Sequence, residues 1–261
     1  MALEYSANLT MLWADRPALE RFGAAAAAGF TSVEMLFPQD LPLPDLETAL
    51  EESALSMSLF DFNCGDWGAG ERGIAALPAR ASEFREKAVR DIELAVRLGT
   101  GTMTILAGIR PHGVEPNACD EMLVANIAHV ADLAAEYGIT VTLEAINNHD
   151  LPGFHVRTVD QAIAILDEVS RPNAQLQLDQ YHVSREGEDP VAVLERHFER
   201  VGHVQIADSP GRHEPGTGAA PLRRFLERLD ELGFRGRIGL EYVPSGDTDR
   251  SLAWLPRSAR G

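Results

Sequence analysis

Four polar residues stand in short stretches that otherwise read as apolar strand: Glu144 in TVTLEAI, Asp179 in QLQLD, Gln205 in HVQIAD and Glu241 in IGLEY. Each sits at or near the C-terminal end of its stretch, and Asp208 follows closely on the third. Parallel strands covered on both faces should be continuously apolar, so these positions need a reason. Taken singly, each could cap a helix or hydrogen-bond a loop. Four on consecutive strands point to a shared centre. Three carboxylates brought together away from water repel one another and require a compensating positive charge. Few Lys or Arg lie in these stretches, so a divalent cation is the economical compensation. Two glutamates, an aspartate and an amide oxygen form an all-oxygen set, which suits Mg²⁺ or Mn²⁺ better than Zn²⁺.

Strand alternation decides which way these side chains point. Gln175, Gln177 and Asp179 share one parity, and Leu176 and Leu178 the other. The leucines belong against helices, so the polar set points inward. The same reasoning turns His203 and Gln205 inward, and Glu144 inward with Thr142.

The elements that must position these residues follow a regular alternation. Strands are expected at 5–9, 32–36, 56–62, 102–107, 140–146, 175–179, 203–207 and 238–242. Helical periodicity is expected over 17–29, 81–98, 117–137, 159–169, 190–200 and 221–232, several of these stretches stopping at glycine. Eight strands joined by helices or substantial connections imply parallel pairing through right-handed crossovers. The count of eight and the absence of a glycine-rich phosphate turn at the start favour a (β/α)₈ barrel over a doubly wound sheet. No Pro- or Ser-rich linker interrupts the chain, so the expectation is one domain over residues 1–261. One segment breaks the pattern: CGDWGAGERGIAALPAR, residues 64–80, follows the third strand on the side where barrels carry their sites.

Composition bounds the partners. The chain has 261 residues, 45% of them apolar and 24% charged, enough for a sizeable core and unlike a disordered chain. A formal net charge of −17 repels phosphate backbones, which argues against nucleic acid. The two cysteines, Cys64 and Cys119, form no metal or redox motif. The N-terminal residues lack a signal-peptide pattern and no apolar run reaches membrane-spanning length, so a reducing cytoplasm is expected and a membrane partner is not. A homo-oligomer is left open.

The motifs SANLTML, VEMLFP, GDWGAGERGIAALPAR, EAINNHDLPGF, QLDQYH, GHVQIAD, PGRHEPGTG and GLEYVPSGDT span nearly the whole chain. Together they resemble the hydroxypyruvate isomerase family of the xylose-isomerase-like barrels. The resemblance implies metal ligation by Glu144, Asp179, Gln205 and Glu241, with Glu144 and Glu241 also transferring protons. It implies a substrate-binding role for His182, in D-x-x-H, and it places Arg72, Asp150, Arg212 and Glu214 in motifs that line the mouth. Arg72 and Arg212 could grip a substrate carboxylate in a bidentate fork, and Trp67 could wall the site. The implied reaction is an aldose–ketose type isomerisation of a small hydroxy-oxo acid, hydroxypyruvate to tartronate semialdehyde, through a metal-stabilised enediolate. A 2-oxo-tetronate isomerase and a ketose 3-epimerase share that chemistry. A sugar-binding barrel with a dead site would lack one of the four ligands, and none is missing. An abasic-site endonuclease would need a histidine-rich zinc centre and a basic face. Among departures from the family pattern, EAIN for EPIN costs loop rigidity, while QLDQYH for QYDIYH, and Ala219 and Ala220 after HEPGTG, bear on substrate choice more than on reaction type.

Overall fold

The structure is a computed structural model that describes residues 3–261. In chain order the elements are β1 Glu4–Asn8, α1 Glu20–Ala28, β2 Ser32–Met35, α2 Leu43–Ser53, β3 Ser56–Asp61, α3 Ala81–Leu98, β4 Thr102–Ile105, α4 Pro116–Ala135, β5 Thr140–Glu144, α5 Val159–Val169, β6 Ala174–Asp179, α6 Gln180–Arg185, α7 Pro190–His197, β7 Val201–Ile206, α8 Leu222–Glu231, β8 Arg237–Leu240 and α9 Thr248–Ser251. The strands follow chain order around a closed barrel, and every described pairing is parallel. The expected (β/α)₈ architecture is the one observed. All eight expected strands are present with ends within two residues of those read from sequence. Seven stop earlier than expected because the backbone leaves the ladder before the apolar pattern ends, and Glu241 consequently lies just past β8. The expected helix over 190–200 divides into α7 and a 3₁₀ turn over Phe198–Arg200. Three helices, α2, α6 and α9, were not expected. Leu46 and Leu50 give α2 a buried stripe one turn apart, but the prolines at its start mask the pattern.

Contacts divide the described chain into two compact units. The first holds β1, β2, β3 through Phe60, Asp179, α6, α7, β7 from His203, β8, and helices α1, α2, α8 and α9. Within it β7, β8, β1, β2 and β3 pair in that order, with Ala7 opposite Val33 and Leu240, and Gln205 opposite Gly239. One face is apolar: Ala7, Val33, Val204, Ile206, Ile238 and Leu240 are all completely buried. The other face is polar in layers. The Ser6 hydroxyl lies 3.3 Å from that of Ser32 and 2.7 Å from that of Ser58. Two residues further along β1 and β2 stand Asn8 and Glu34, which face each other in the ladder.

The second unit holds β4, β5 and β6 through Leu178, with α3, α4 and α5. Thr142 pairs with Thr104 on one side and Gln175 on the other. The Thr104 and Thr142 hydroxyls lie 3.0 Å apart, and Thr104 also donates to Gln177 Oε1. Alternation therefore works as the sequence suggests: Gln177 and Thr142 share the polar face, and Leu143, Leu176 and Leu178 the apolar one.

Helix ends are set locally. α5 opens on a capping box, in which the Gln161 N–H donates to Thr158 Oγ1 at 3.3 Å and the Thr158 N–H to Gln161 Oε1 at 3.2 Å. α8 buries Leu222, Phe225 and Leu229 at three- and four-residue spacing and turns its arginines outward. Thr158→Ala removes one half of the capping box, and urea unfolding should show a loss of about 1 kcal/mol with secondary structure retained.

Candidate active site

Asp179 ends β6 and caps α6. Its Oδ1 accepts the Tyr181 N–H at 2.8 Å. Its Oδ2 is buried and accepts no hydrogen bond. That oxygen lies 3.5 Å from His182 Nε2 and 3.6 Å from Arg212 Nη2. Glu241, the first residue after β8, places Oε1 3.0 Å from the same Arg212 nitrogen. Arg212 holds a left-handed backbone, φ 55°, rare for a residue with a β-carbon. Its carbonyl accepts the Val243 N–H at 2.8 Å, tying the loop after β7 to the segment that follows Glu241. The guanidinium rests over the Tyr181 ring, 5.1 Å from its centre.

Gln205 points inward from β7, and its Nε2 donates to Glu34 Oε1 at 2.9 Å. Glu34, on β2, is completely buried. It also accepts from Asn8 Nδ2 at 3.0 Å, and His203 Nε2 lies 3.0 Å from its second oxygen.

Burial of so many acids has electrostatic consequences. Burial raises the Asp179 pKa; Arg212 opposes the rise and the Glu34 charge adds to it. Burial raises Glu241 as well, again against Arg212, with Asp179 and Glu34 adding. Burial, and then the neighbouring Arg212 charge, hold His182 well below the ordinary imidazole range, so it is a neutral ring able to ligate or hydrogen-bond. A buried carboxylate oxygen without a hydrogen bond, and a second carboxylate that shares its guanidinium, are oxygen donors of the kind that fit a hard divalent cation.

The second unit carries the remaining expected residues. Glu144 is the last residue of β5 and is buried, with Gln177 as its strand partner. Asp150 is exposed, and its Oδ2 accepts from Asn147 Nδ2 at 3.0 Å. The 64–80 segment is tied to itself and to β4. Asp66 Oδ1 accepts the Ala69 N–H, Glu71 receives the Asp66 N–H and the Arg80 guanidinium, and Gly73 bridges Ala107. A β-carbon at Gly73 would stand 2.4 Å from the Leu106 carbonyl oxygen, so only glycine fits that approach. Trp67 and Arg72 stack, the guanidinium carbon 4.0 Å from the ring centre. Arg72 also donates to the Trp67 and Glu71 carbonyls at 3.0 and 2.7 Å.

Back in the first unit, Glu214 accepts both the Ser245 N–H at 2.9 Å and the Ser245 hydroxyl at 2.6 Å, which links two loops. Asp208 organises the loop after β7. Its carboxylate accepts the N–H groups of Ser209, Gly216 and Ala220 at 2.9, 2.8 and 3.1 Å. Glu34 and Asn8 are the residues that sequence reasoning missed. The alternation argument applied to the late strands also applies to SAN and SVEM, where Ser6 and Asn8, and Ser32 and Glu34, share a parity.

A carboxyl whose pKa is raised by folding binds more protons folded than unfolded. Its stabilising contribution is complete at acid pH and is lost as the pH climbs through the raised value. Chelated protein should therefore lose melting temperature as pH rises from about 4 to neutrality. Glu241→Gln, which cannot ionise, should lose less. Parallel melting curves for the two proteins across that range would refute this assignment.

Comparisons with known proteins agree with the fold. The family model described as xylose isomerase-like TIM barrel matches residues 22–258. A 2-oxo-tetronate isomerase from Cupriavidus necator is 39% identical over 251 residues, covering 96% of each chain. A hydroxypyruvate isomerase from Escherichia coli is 36% identical over 253 residues, covering 97% of this chain and 98% of its own. The crystal structure of an AP endonuclease, family 2, from Brucella melitensis superposes with a TM-score of 0.94 at 37% identity, covering 98% of both chains. With a model match over most of its length and relatives well above 30% identity, the chain belongs to the xylose isomerase-like TIM barrel family.

Proposed function

We propose that the protein is an isomerase of small hydroxy-oxo acids, with hydroxypyruvate to tartronate semialdehyde as the leading reaction. The observation that carries this reading is the buried, hydrogen-bond-free Oδ2 of Asp179 next to the Arg212–Glu241 pair, in a chain whose relatives are named as isomerases of such acids. Glu144, Asp179, Gln205 and Glu241 would hold a divalent cation, Mg²⁺ or Mn²⁺ by donor chemistry. His182, whose Nε2 lies 3.5 Å from Asp179 Oδ2, is a candidate donor as well as a substrate contact. When bound, the cation would supply electrostatic stabilisation of negative charge developing on the substrate oxygens.

The chain's own residues do the rest. Glu144, the last residue of β5, and Glu241, the first after β8, act as the proton-transfer pair. One takes a proton from C3 of hydroxypyruvate, and it or the other delivers a proton to C2, while the proton lost from the C3 hydroxyl ends on the C2 oxygen, so the product is an isomer and no external reductant enters. His182, neutral because it is buried, hydrogen-bonds a substrate hydroxyl. The Arg212 guanidinium, charged at any working pH, faces the substrate carboxylate and offsets the repulsion that the −17 charge of the chain imposes on an anion. Arg72 and Trp67, stacked as a unit, and Asp150 and Glu214 border the opening.

A 2-oxo-tetronate differs by one carbon and shares every step, and the Cupriavidus necator relative keeps that substrate in contention. The endonuclease named for the Brucella melitensis structure would require binding to a polyanion, which the acidic chain opposes.

Chelated and remetallated protein assayed on hydroxypyruvate, 2-oxo-tetronate, fructose and tagatose, with products read by NMR, tests both the metal and the substrate. Activity should vanish on chelation and return with Mg²⁺ or Mn²⁺ at about one ion per chain; full activity of the chelated protein would exclude the metal role. Glu241→Gln should lower kcat by at least about a hundredfold, and near-wild-type turnover would exclude its part in proton transfer. Arg72→Ala with unchanged KM and kcat would remove Arg72 from the substrate contacts.

A further inference from the structure

Glu34 is unexpected in a barrel interior: a fully buried carboxylate on an early strand, whereas the proposed ligands come from later ones. Everything around it is built to keep it there. Asn8 Nδ2 and Gln205 Nε2 both donate to its Oε1, at 3.0 and 2.9 Å, and His203 Nε2 meets its Oε2 at 3.0 Å. Asn8 is itself fixed, because its Oδ1 accepts the Thr10 N–H at 3.0 Å and leaves Nδ2 for the carboxylate. On β8, Gly239 pairs with Gln205, and a β-carbon there would stand 2.4 Å from both Glu34 oxygens. Three neighbouring strands therefore serve one carboxylate, by a donor or by the absence of a side chain.

The two ends of a glutamine amide have nearly the same shape and opposite hydrogen-bonding roles. Steric fit alone cannot decide which end faces a cation. A neighbour that only accepts can decide it: an ionised carboxylate draws the amide nitrogen and turns the oxygen the other way.

We propose that Glu34 is a positioning residue that locks the Gln205 amide with its oxygen directed to the metal. The proposal rests on the reading of Gln205 as a ligand given above. Outer partners that orient a metal ligand commonly change affinity by about ten- to a hundredfold when removed.

The test is Mn²⁺ affinity of the full-length protein, by calorimetry and by electron paramagnetic resonance of the free ion, with circular dichroism and melting temperature as fold controls. Glu34→Leu removes every acceptor and should weaken Mn²⁺ binding about ten- to a hundredfold. Glu34→Gln keeps an acceptor oxygen for Asn8 and Gln205 and turns its amide nitrogen to His203, which can accept as the other tautomer; it should bind within a few-fold of wild type. Two results overturn the proposal. Glu34→Leu binding as tightly as wild type shows that Glu34 orients nothing. Glu34→Gln binding as weakly as Glu34→Leu shows that only charge matters. If Glu34→Leu does not fold, Gly239→Ala carries the test, because its methyl group displaces the carboxylate from Gln205 without altering its charge. Weaker Mn²⁺ binding is then expected, and unchanged binding overturns the proposal. Wild-type protein that binds no Mn²⁺ rejects the metal reading itself, an outcome separable from all of these because it appears before any substitution is made.

Discussion

Glu34, Asp179 and Glu241 carry three carboxylates out of water within one set of strands, and Arg212 reaches two of them. Burying acids so close together is unfavourable unless positive charge or hydrogen-bond donors answer it. The answers are distinct. Glu34 is met by neutral donors on neighbouring strands and by His203. Asp179 receives a backbone N–H on one oxygen only. Glu241 has the guanidinium. The residual imbalance shows as a raised proton affinity at Asp179 and Glu241, and it is also what makes the place attractive to a cation.

The scaffold serves this arrangement by reversing the usual filling of a barrel. Bulky branched side chains normally occupy the inner layers. Here serines fill the lowest layer of the first unit, an amide, a carboxylate and an imidazole the next, and two threonines and a glutamine occupy the polar face of the second unit. Stability must then come from the outer face, where completely buried aliphatic residues meet amphipathic helices such as α8. The division of labour is strict along each strand, residue by residue, because the pleat permits nothing else.

That strictness explains what was legible in the sequence. Alternating parity exposed Asp179, Gln205 and the inward threonine without any coordinates. The βα rhythm gave the barrel. The same parity rule covered Asn8 and Glu34, but their strands are short and small residues surround them, so no apolar run made the acid conspicuous. The Arg212 contacts were out of reach of spacing arguments for a different reason. They depend on a left-handed turn at a residue with a full side chain, in a loop whose path is set by three N–H groups converging on Asp208. Propensity offers no signal for such a turn at an arginine. Helix α6 was hidden because its start coincides with Asp179, a residue already accounted for by chemistry.

That coincidence has a practical meaning. Asp179 is at once the end of a strand, the lid on the first turn of the helix bearing Tyr181 and His182, and a buried acid with one oxygen to spare. Truncating it to alanine would unfasten the helix as well as delete a charge, and the two injuries would be indistinguishable in an assay. Asparagine keeps the fastening oxygen and removes only the charge. The chain has merged anchorage and chemistry into one side chain, so the choice of replacement, more than the choice of position, determines what an experiment there can teach.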